Sequence, residues 1–288
     1  MTHHRRFFVD PDTIEGNTVV ITGGTARQME RVLRVKNGDL ICLLDGFGTE
    51  FDAQITALSS GSVTARILGS RRCEAEPRLK LILAVCLPKG DKIEIIAQKC
   101  TELGISELVV VNSQRTVARI PAEKILTRLA RWRKIAREAA EQCGRAVAPS
   151  VEGILQVGDL AELVPTVPLA LLACESGDSP PLKAVLQASG HRLSPGDRDN
   201  VRASVEDKAR RGPASDASTY HAKNAGGSEE AGPVMVIIGP EGGLSDEETG
   251  VLVEAGAVPI SLGRRILRCE TAAIAACAAV MYELEGEL

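Results

Sequence analysis

The chain has 288 residues, 44% apolar and 25% charged, with a formal net charge of −4. That length accommodates two domains with sizeable cores, and the net negative charge excludes a wholesale polyanion binder, so any nucleic-acid surface has to be local. No run of about 18 apolar residues occurs, which excludes a membrane-spanning helix, and the opening MTHHRRFF lacks the apolar stretch of a secretory signal.

Residues 1–74 read as a small β-rich domain. The runs VVIT, DLICLLD, FDAQITAL and SVTARILG are β-prone and are separated by glycine-bearing turns such as KNGD and DGFG, the pattern of hairpins or a small barrel. One helix is predicted over Thr25–Arg34. All four phenylalanines, Phe7, Phe8, Phe47 and Phe51, fall here and are expected in the core. Arg5, Arg6, Arg27, Arg31, Arg34 and Lys36 offer a basic surface, although nine basic residues are balanced by nine acidic ones. RNA contact and a solvated face therefore stand side by side.

Pro77 marks a boundary, and 75–288 read as a second, α/β domain. LKLILAVCL is a continuous apolar run of the kind found in a parallel strand buried on both faces. A helix follows, with Ile93, Ile96, Ala97, Cys100 and Leu103 at helical spacing and Gly104 as its stop. ELVVV is the next strand, so the order is strand, helix, strand, the βαβ unit of a parallel sheet. The helix predicted over 122–144 carries an apolar stripe (Ile125, Leu129, Trp132, Ala136). Lys124, Arg128 and Arg131 lie on another face, and residues 112–148 hold nine basic residues against three acidic. Such a local excess in an acidic chain points to polyanion contact more than to a solvated face.

PLALLACES (168–176) is a further buried strand, with a short helix over Leu182–Gln187. Residues 189–232 are rich in Gly, Ser, Ala, Asp and Arg and poor in large apolar side chains, and read as a disordered insertion whose removal should leave activity largely unchanged. The next strand, Val234–Ile238, runs into GPEGGLS. Ser245 and Glu248 form an S-x-x-E capping box that opens a helix. A strand over Val258–Leu262 then runs into GRRILRCE and a long alanine-lined helix, CETAAIAACAAVMYELEG.

Two glycine-bearing loops thus leave what read as neighbouring strands, at the carboxyl edge where open α/β sheets bind ligands. Glycine permits close backbone approach, and Arg268 and Glu270 stand at a helix start. Eight cysteines without a CxxC pair read as reduced thiols of a cytoplasmic protein. No metal site is expected, and the four histidines (3, 4, 191, 221) lie away from the core patterns, which disfavours a histidine-assisted hydrolase. Neither GxGxxG after a strand nor GxxxxGK[ST] occurs.

GPEGGLS followed by LGRRILRCETA resembles the C-terminal signature of the SPOUT methyltransferases. With LPKGDKIEIIAQKCTELGI, the run WRKIAREAAEQCGR and the N-terminal RRFF and VLRVKNGD, the likeness narrows to the family that methylates N3 of a uridine in 16S ribosomal RNA. It covers 5–38 and 79–288 apart from the insertion. The resemblance implies an N-terminal PUA-like small β-barrel, a SPOUT α/β domain with a trefoil knot, a homodimer, and S-adenosyl-L-methionine bound among the knot loops. Carried over by position, those loops supply Leu172, Cys174, Glu175, Gly239, Pro240, Glu241, Gly242, Leu262, Ile266 and Leu267. The implied substrate is 16S ribosomal RNA of the small ribosomal subunit, held by Arg5, Arg34, Lys89, Arg128, Arg131 and Arg145. The family often carries paired histidines before VLR, where this sequence has Arg27 and Gln28.

For methylation at N3, Arg268 is the expected stabiliser of charge developing on the uracil carbonyls. Glu270 has two readings, acceptor of the N3 proton or salt-bridge anchor of Arg268. Glu241 orients its loop, bonds the cofactor or faces the substrate, and Thr271 is expected only to cap the last helix. Lys89 and Glu102 are read as a helix-end charge and a surface group, with substrate or structural roles added by the resemblance. A non-catalytic RNA-binding or ribosome-assembly factor, or a SPOUT methyltransferase for another RNA position, are the alternatives.

Overall fold

A computed structural model describes residues 5–175, 179–189 and 232–286. The expected insertion therefore lies outside the described residues except at Ser189 and Gly232, as do all four histidines. The chain divides into two compact units, one of the residues up to Glu76 with Arg137–Ala148, the other of Pro77–Ala136 with the residues from Pro149 onward.

The first unit is built on six strands, β1 (Arg5–Phe8), β2 (Ile14–Glu15), β3 (Thr18–Thr22), β4 (Leu40–Leu44), β5 (Thr49–Ser59) and β6 (Ser62–Arg72). They run in the order β1-β4-β5-β6-β3-β2, with β1 parallel to β4 and the other pairs antiparallel. Period-2 alternation puts Val19 and Ile21, Ala53 and Ile55, and Val63 and Ala65 into one core. The helix predicted over Thr25–Arg34 is instead α1 (Gly23–Arg27) followed by one π-helical turn, Gln28–Val32. Met29 is the anchor of that turn, fully buried while Val32 is exposed, and the chain leaves it through Arg34 at φ +50°. Phe7 and Phe8 are buried as expected, but Phe47 is 47% exposed at a turn, which corrects the core assignment. Phe8, Cys42, Leu44 and Cys73 pack with Ala140 and Ala146 of the 137–148 segment.

The second unit is a parallel six-stranded sheet, as the continuous apolar runs predict. Its strands β7 (Leu81–Cys86), β8 (Glu107–Asn112), β9 (Ser150–Gln156), β10 (Leu169–Ala173), β11 (Val234–Ile238) and β12 (Val258–Ile260) lie in the order β12-β10-β11-β7-β8-β9. Both faces are buried. Leu81, Leu83, Val85, Val234, Val236 and Ile238 meet α2 (Lys92–Glu102), α3 (Ala122–Cys143), α5 (Leu182–Ala188) and α7 (Cys269–Glu285). On the other face Ala84, Cys86, Met235 and Ile237 meet α4 (Val157–Leu163) and α6 (Asp246–Glu254).

The small residues of α7 do what their size permits. Ala273, Ala276 and Cys277 are fully buried in the core shared with Ile93, Ile96 and Cys100 of α2. One expectation needs correction. The strands carrying the two glycine-bearing loops, β11 and β12, are not neighbours, because β10 lies between them and pairs with both. That order brings a third loop, the one after Ala173, between the other two.

Candidate active site

Four chain segments converge at the carboxyl edge of the second unit's sheet. The first leaves β7 and enters α2 through Lys89–Asp91. The second is the GPEGG turn after β11, closed by the Gly243 N–H donating to the Pro240 carbonyl at 2.9 Å. Gly243 sits at φ +68°, so only glycine is comfortable there. The third follows β10, where the Cys174 N–H donates to the Ile260 carbonyl at 2.9 Å. The fourth, Ser261–Arg268, follows β12 and turns through Gly263 at φ +118°.

Lys92 ties two of these segments together. Its Nζ donates to Glu241 Oε1 at 3.0 Å and lies 3.4 Å from Glu270 Oε2. The Lys89 N–H donates to the same Glu241 oxygen at 3.1 Å. Burial works against ionising Glu241, but the hydrogen bonds from Lys92 and from backbone N–H groups outweigh it and hold its carboxyl below the usual range. The bond to Glu241 in turn raises Lys92. Glu270 Oε2 is buried and makes no hydrogen bond among the described residues, with the Lys92 ammonium 3.4 Å from it.

Glu270 is thus paired with Lys92 and not with Arg268. Arg268 occupies the N-cap position of α7, is exposed, and has no ion pair among the described residues. The cap position corrects the expectation for Thr271, which lies inside the first turn with an exposed side chain. Cys269, between the two charged residues, points inward with Sγ 3.9 Å from the Cys86 carbonyl. Burial pushes its thiol up to about 12, which removes it as a nucleophile at neutral pH. Leu262 and Leu267 pack on the main core from its edge, whereas Ile266 is 81% exposed.

The GPEGG turn is braced from the far side. Arg115 Nη1 donates to the carbonyls of Gly242 and Leu244 at 3.1 and 3.2 Å. Ser245 and Glu248 form the expected reciprocal cap, and the second oxygen of Glu248 accepts the Gln114 N–H at 2.7 Å.

Of the expected site residues, the structure gathers Gly239, Pro240, Glu241, Gly242, Leu262, Leu267 and Glu270, with Leu172 on the intervening strand, Cys174 just after it and Glu175 exposed beside them. Lys89 joins through its backbone N–H, its side chain being exposed. Arg131 is paired with Glu94 at 2.7 Å, and Arg128 lies 4.0 Å from Glu94 and from Asp91, so the basic face of α3 is partly neutralised. Glu102 pairs with Lys99. Arg145 is a correction. It is 4% exposed and paired with Glu76 at 3.2 Å, which gives it a structural role in the first unit in place of substrate contact. Arg5 and Arg34 are exposed in that unit, Arg5 donating to the Leu33 carbonyl at 2.6 Å.

Lys92 and Arg115 were not expected. A signal for Lys92 exists: a lysine at the first position of a helix opposes the helix dipole, so something else must hold it there. Arg115 has no such signal, because its partners are backbone carbonyls more than a hundred residues away.

Among the described residues no helix is long and apolar enough to cross a membrane, and no cluster of three metal-ligating side chains occurs. Residues 75–195 and 199–281 match the family model described as an RNA methyltransferase domain, and residues 29–68 match an RNA methyltransferase PUA domain. The chain is similar to ribosomal RNA small subunit methyltransferase E of Synechocystis sp., at 33% identity over 98% of this chain and 78% of that protein. The protein of the same name from Bacillus subtilis is 30% identical over 98% of this chain and 97% of its own length. A crystal structure of ribosomal RNA small subunit methyltransferase E from Neisseria gonorrhoeae, bound to S-adenosyl methionine, is 27% identical, with a TM-score of 0.77 over 98% of each chain. The chain therefore belongs to the RNA methyltransferase family, among the ribosomal RNA small subunit methyltransferases E.

Proposed function

We propose that the protein transfers a methyl group from S-adenosyl-L-methionine to N3 of a uridine in 16S ribosomal RNA of the small ribosomal subunit. The observation that carries this reading is the meeting of Glu241, Lys92 and the buried, unbonded oxygen of Glu270 at the edge where the glycine loops converge. The residues fit the cofactor. The loops at 239–242 and 262–268 bear glycines, with Gly263 at φ +118°, and the chain after β10 at 172–175 runs between them.

When bound, S-adenosylmethionine supplies an electrophilic methyl group. The chain's own task is to make N3 nucleophilic. Glu270 would accept the N3 proton, so that N3 could take the methyl group that bound S-adenosylmethionine would supply, the sulfur keeping the electron pair of the broken bond. Lys92, 3.4 Å from Glu270 Oε2 and hydrogen-bonded to Glu241, places a positive charge beside that oxygen and ties the base to the loop that carries Glu241. Arg268, free of a carboxylate partner among the described residues, offers its guanidinium to the charge that builds on the uracil carbonyls.

The finer architecture is part of the proposal. The domains are 1–74, a PUA-like barrel whose Arg5 and Arg34 contact RNA phosphates, and 75–288, a SPOUT domain knotted near its C-terminus. Exposed Ile95, Ile266 and Tyr282 support a homodimer, and reduced buried thiols support a cytoplasmic location. Calorimetry with S-adenosylmethionine tests the enzymatic reading. Binding that Glu241→Ala weakens is the expected result, and RNA binding with no cofactor binding would replace the enzyme by a ribosome-assembly factor.

A further inference from the structure

We propose that a second cavity in the α/β unit receives a nucleobase flanking the target uridine on the same RNA strand. The inference rests on the methyltransferase reading for its ligand. The cavity has a volume of about 550 Å³, ample for a nucleoside. It opens at the carboxyl ends of β8 and β9, the same edge of the sheet as the GPEGG turn. β8 and β9 stand two and three strands from β11, which at ~4.8 Å per strand is a separation of roughly 10–14 Å. An unstacked RNA strand covers that distance in one or two nucleotides, and splayed bases are what RNA-modifying proteins read.

The wall has the chemistry of a base reader. Asn112 and Gln156 end β8 and β9 and are register partners in the parallel pair. Their backbones stand roughly 4.8 Å apart; the Gln156 side chain accepts the Asp159 N–H in the cap of α4 and keeps its N–H groups as donors, while Asn112 carries both donors and an acceptor. The Asn112 amide has no hydrogen-bond partner among the described residues. Amides of this kind match the paired donors and acceptors of a base edge. Ile120, Val157 and Val251 supply an apolar surface for a ring, Val251 being 40% exposed.

Charge argues for a neutral occupant. Glu247 and Glu248 line the cavity and disfavour a phosphate inside it, but both are already engaged, Glu248 by the N–H groups of Ser245 and Gln114, Glu247 by the Gln114 amide. Arg119, exposed at the wall, suits the phosphate next to the base. The pocket is also linked to the chemistry. Gln114 lines it, and the next residue, Arg115, holds the carbonyls of Gly242 and Leu244. A base seated there stiffens the loop that carries Glu241.

Gly158 provides the test. It lines the cavity, its φ is not left-handed, and a Cβ there would meet nothing within 4 Å, so Gly158→Phe fills the space without backbone strain. A 16S ribosomal RNA fragment containing the target uridine, labelled for fluorescence anisotropy, is titrated with wild type, Gly158→Phe and Asn112→Ala. Both variants should bind about tenfold more weakly, with calorimetric affinity for S-adenosylmethionine unchanged. Fragments made abasic one or two positions from the uridine should lose the same affinity for wild type and none for Gly158→Phe. Equal RNA affinity in all three proteins, or an abasic penalty that Gly158→Phe still feels, would overturn the pocket. These binding titrations do not depend on methyl transfer, so a wild type that binds RNA without methylating it refutes the functional reading and leaves the pocket to the abasic comparison.

Discussion

Lys92 is the residue whose position carries most meaning. It stands at the positive end of α2, against the helix dipole, and is held there by Glu241 and Glu270. Replacing Glu270 by Gln should reduce turnover about 10²–10⁴-fold. Lys92→Gln should reduce it less, with Lys92→Arg restoring most of the loss. A Lys92→Gln turnover equal to wild type, while Glu270→Gln is inactive, would separate Lys92 from the base. The pH dependence of the loop tie follows from the two shifts. Glu241 is depressed, so its contribution is present above its ordinary value of 4.5 and is lost as pH falls through the lowered one. Lys92 is raised, so its contribution is full below 10.5 and is lost only as pH climbs through its raised value. Cofactor affinity measured by calorimetry should therefore be flat across the neutral range and fall in acid below pH 4.5 and in alkali above 10.5. Arg268→Ala should lower kcat about 10²–10³-fold with cofactor affinity retained, and near-normal kcat would remove Arg268 from the chemistry. Arg268 and Glu270 were legible in the sequence because they follow a glycine turn at a helix start. The partner of Glu270 was not, since the cation beside it comes from a helix well over a hundred residues earlier.

Among the elements, the turn at Gly104 shows why some boundaries could be read without a structure. α2 ends there because the chain turns into the left-handed region, φ +98°, and glycine after a helical apolar stripe announces that stop. The packing adds a reason the sequence does not contain, since a Cβ at Gly104 would meet Pro77 Cγ at 2.6 Å and Met281 Cε at 2.9 Å. Gly104→Ala should therefore destabilise the second unit by about 1–3 kcal/mol, read as a shift in the urea midpoint; an unchanged midpoint would show that Pro77 and Met281 move aside freely. Buried strands such as β7 and β11 were legible because both their faces are apolar. β9 was not, because it is an edge strand with Val151 as its only buried residue and Gly153 in its middle, so neither alternation nor a continuous run marks it. The placement of β10 between β11 and β12 was equally hidden. Strand order is set by which faces cover which, and composition along one strand carries no trace of it.

At the scale of the molecule, the parallel strands β7 to β12 of the second unit and the helices between them bring distant segments to one sheet edge. The exposed apolar side chains Ile95, Ile266 and Tyr282 lie in the same unit as that edge. If they cover a second copy of the chain, light scattering should give twice the 30.5 kDa chain mass for wild type and a monomer for Tyr282→Arg; a monomeric wild type would contradict the homodimer. The central claim is methylation of uridine N3, and nucleoside mass spectrometry of 16S ribosomal RNA tests it most directly. RNA from a strain deleted for this protein should lack N3-methyluridine, and plasmid-borne wild type should restore it while Arg268→Ala does not. N3-methyluridine persisting unchanged in the deletion strain would contradict the account.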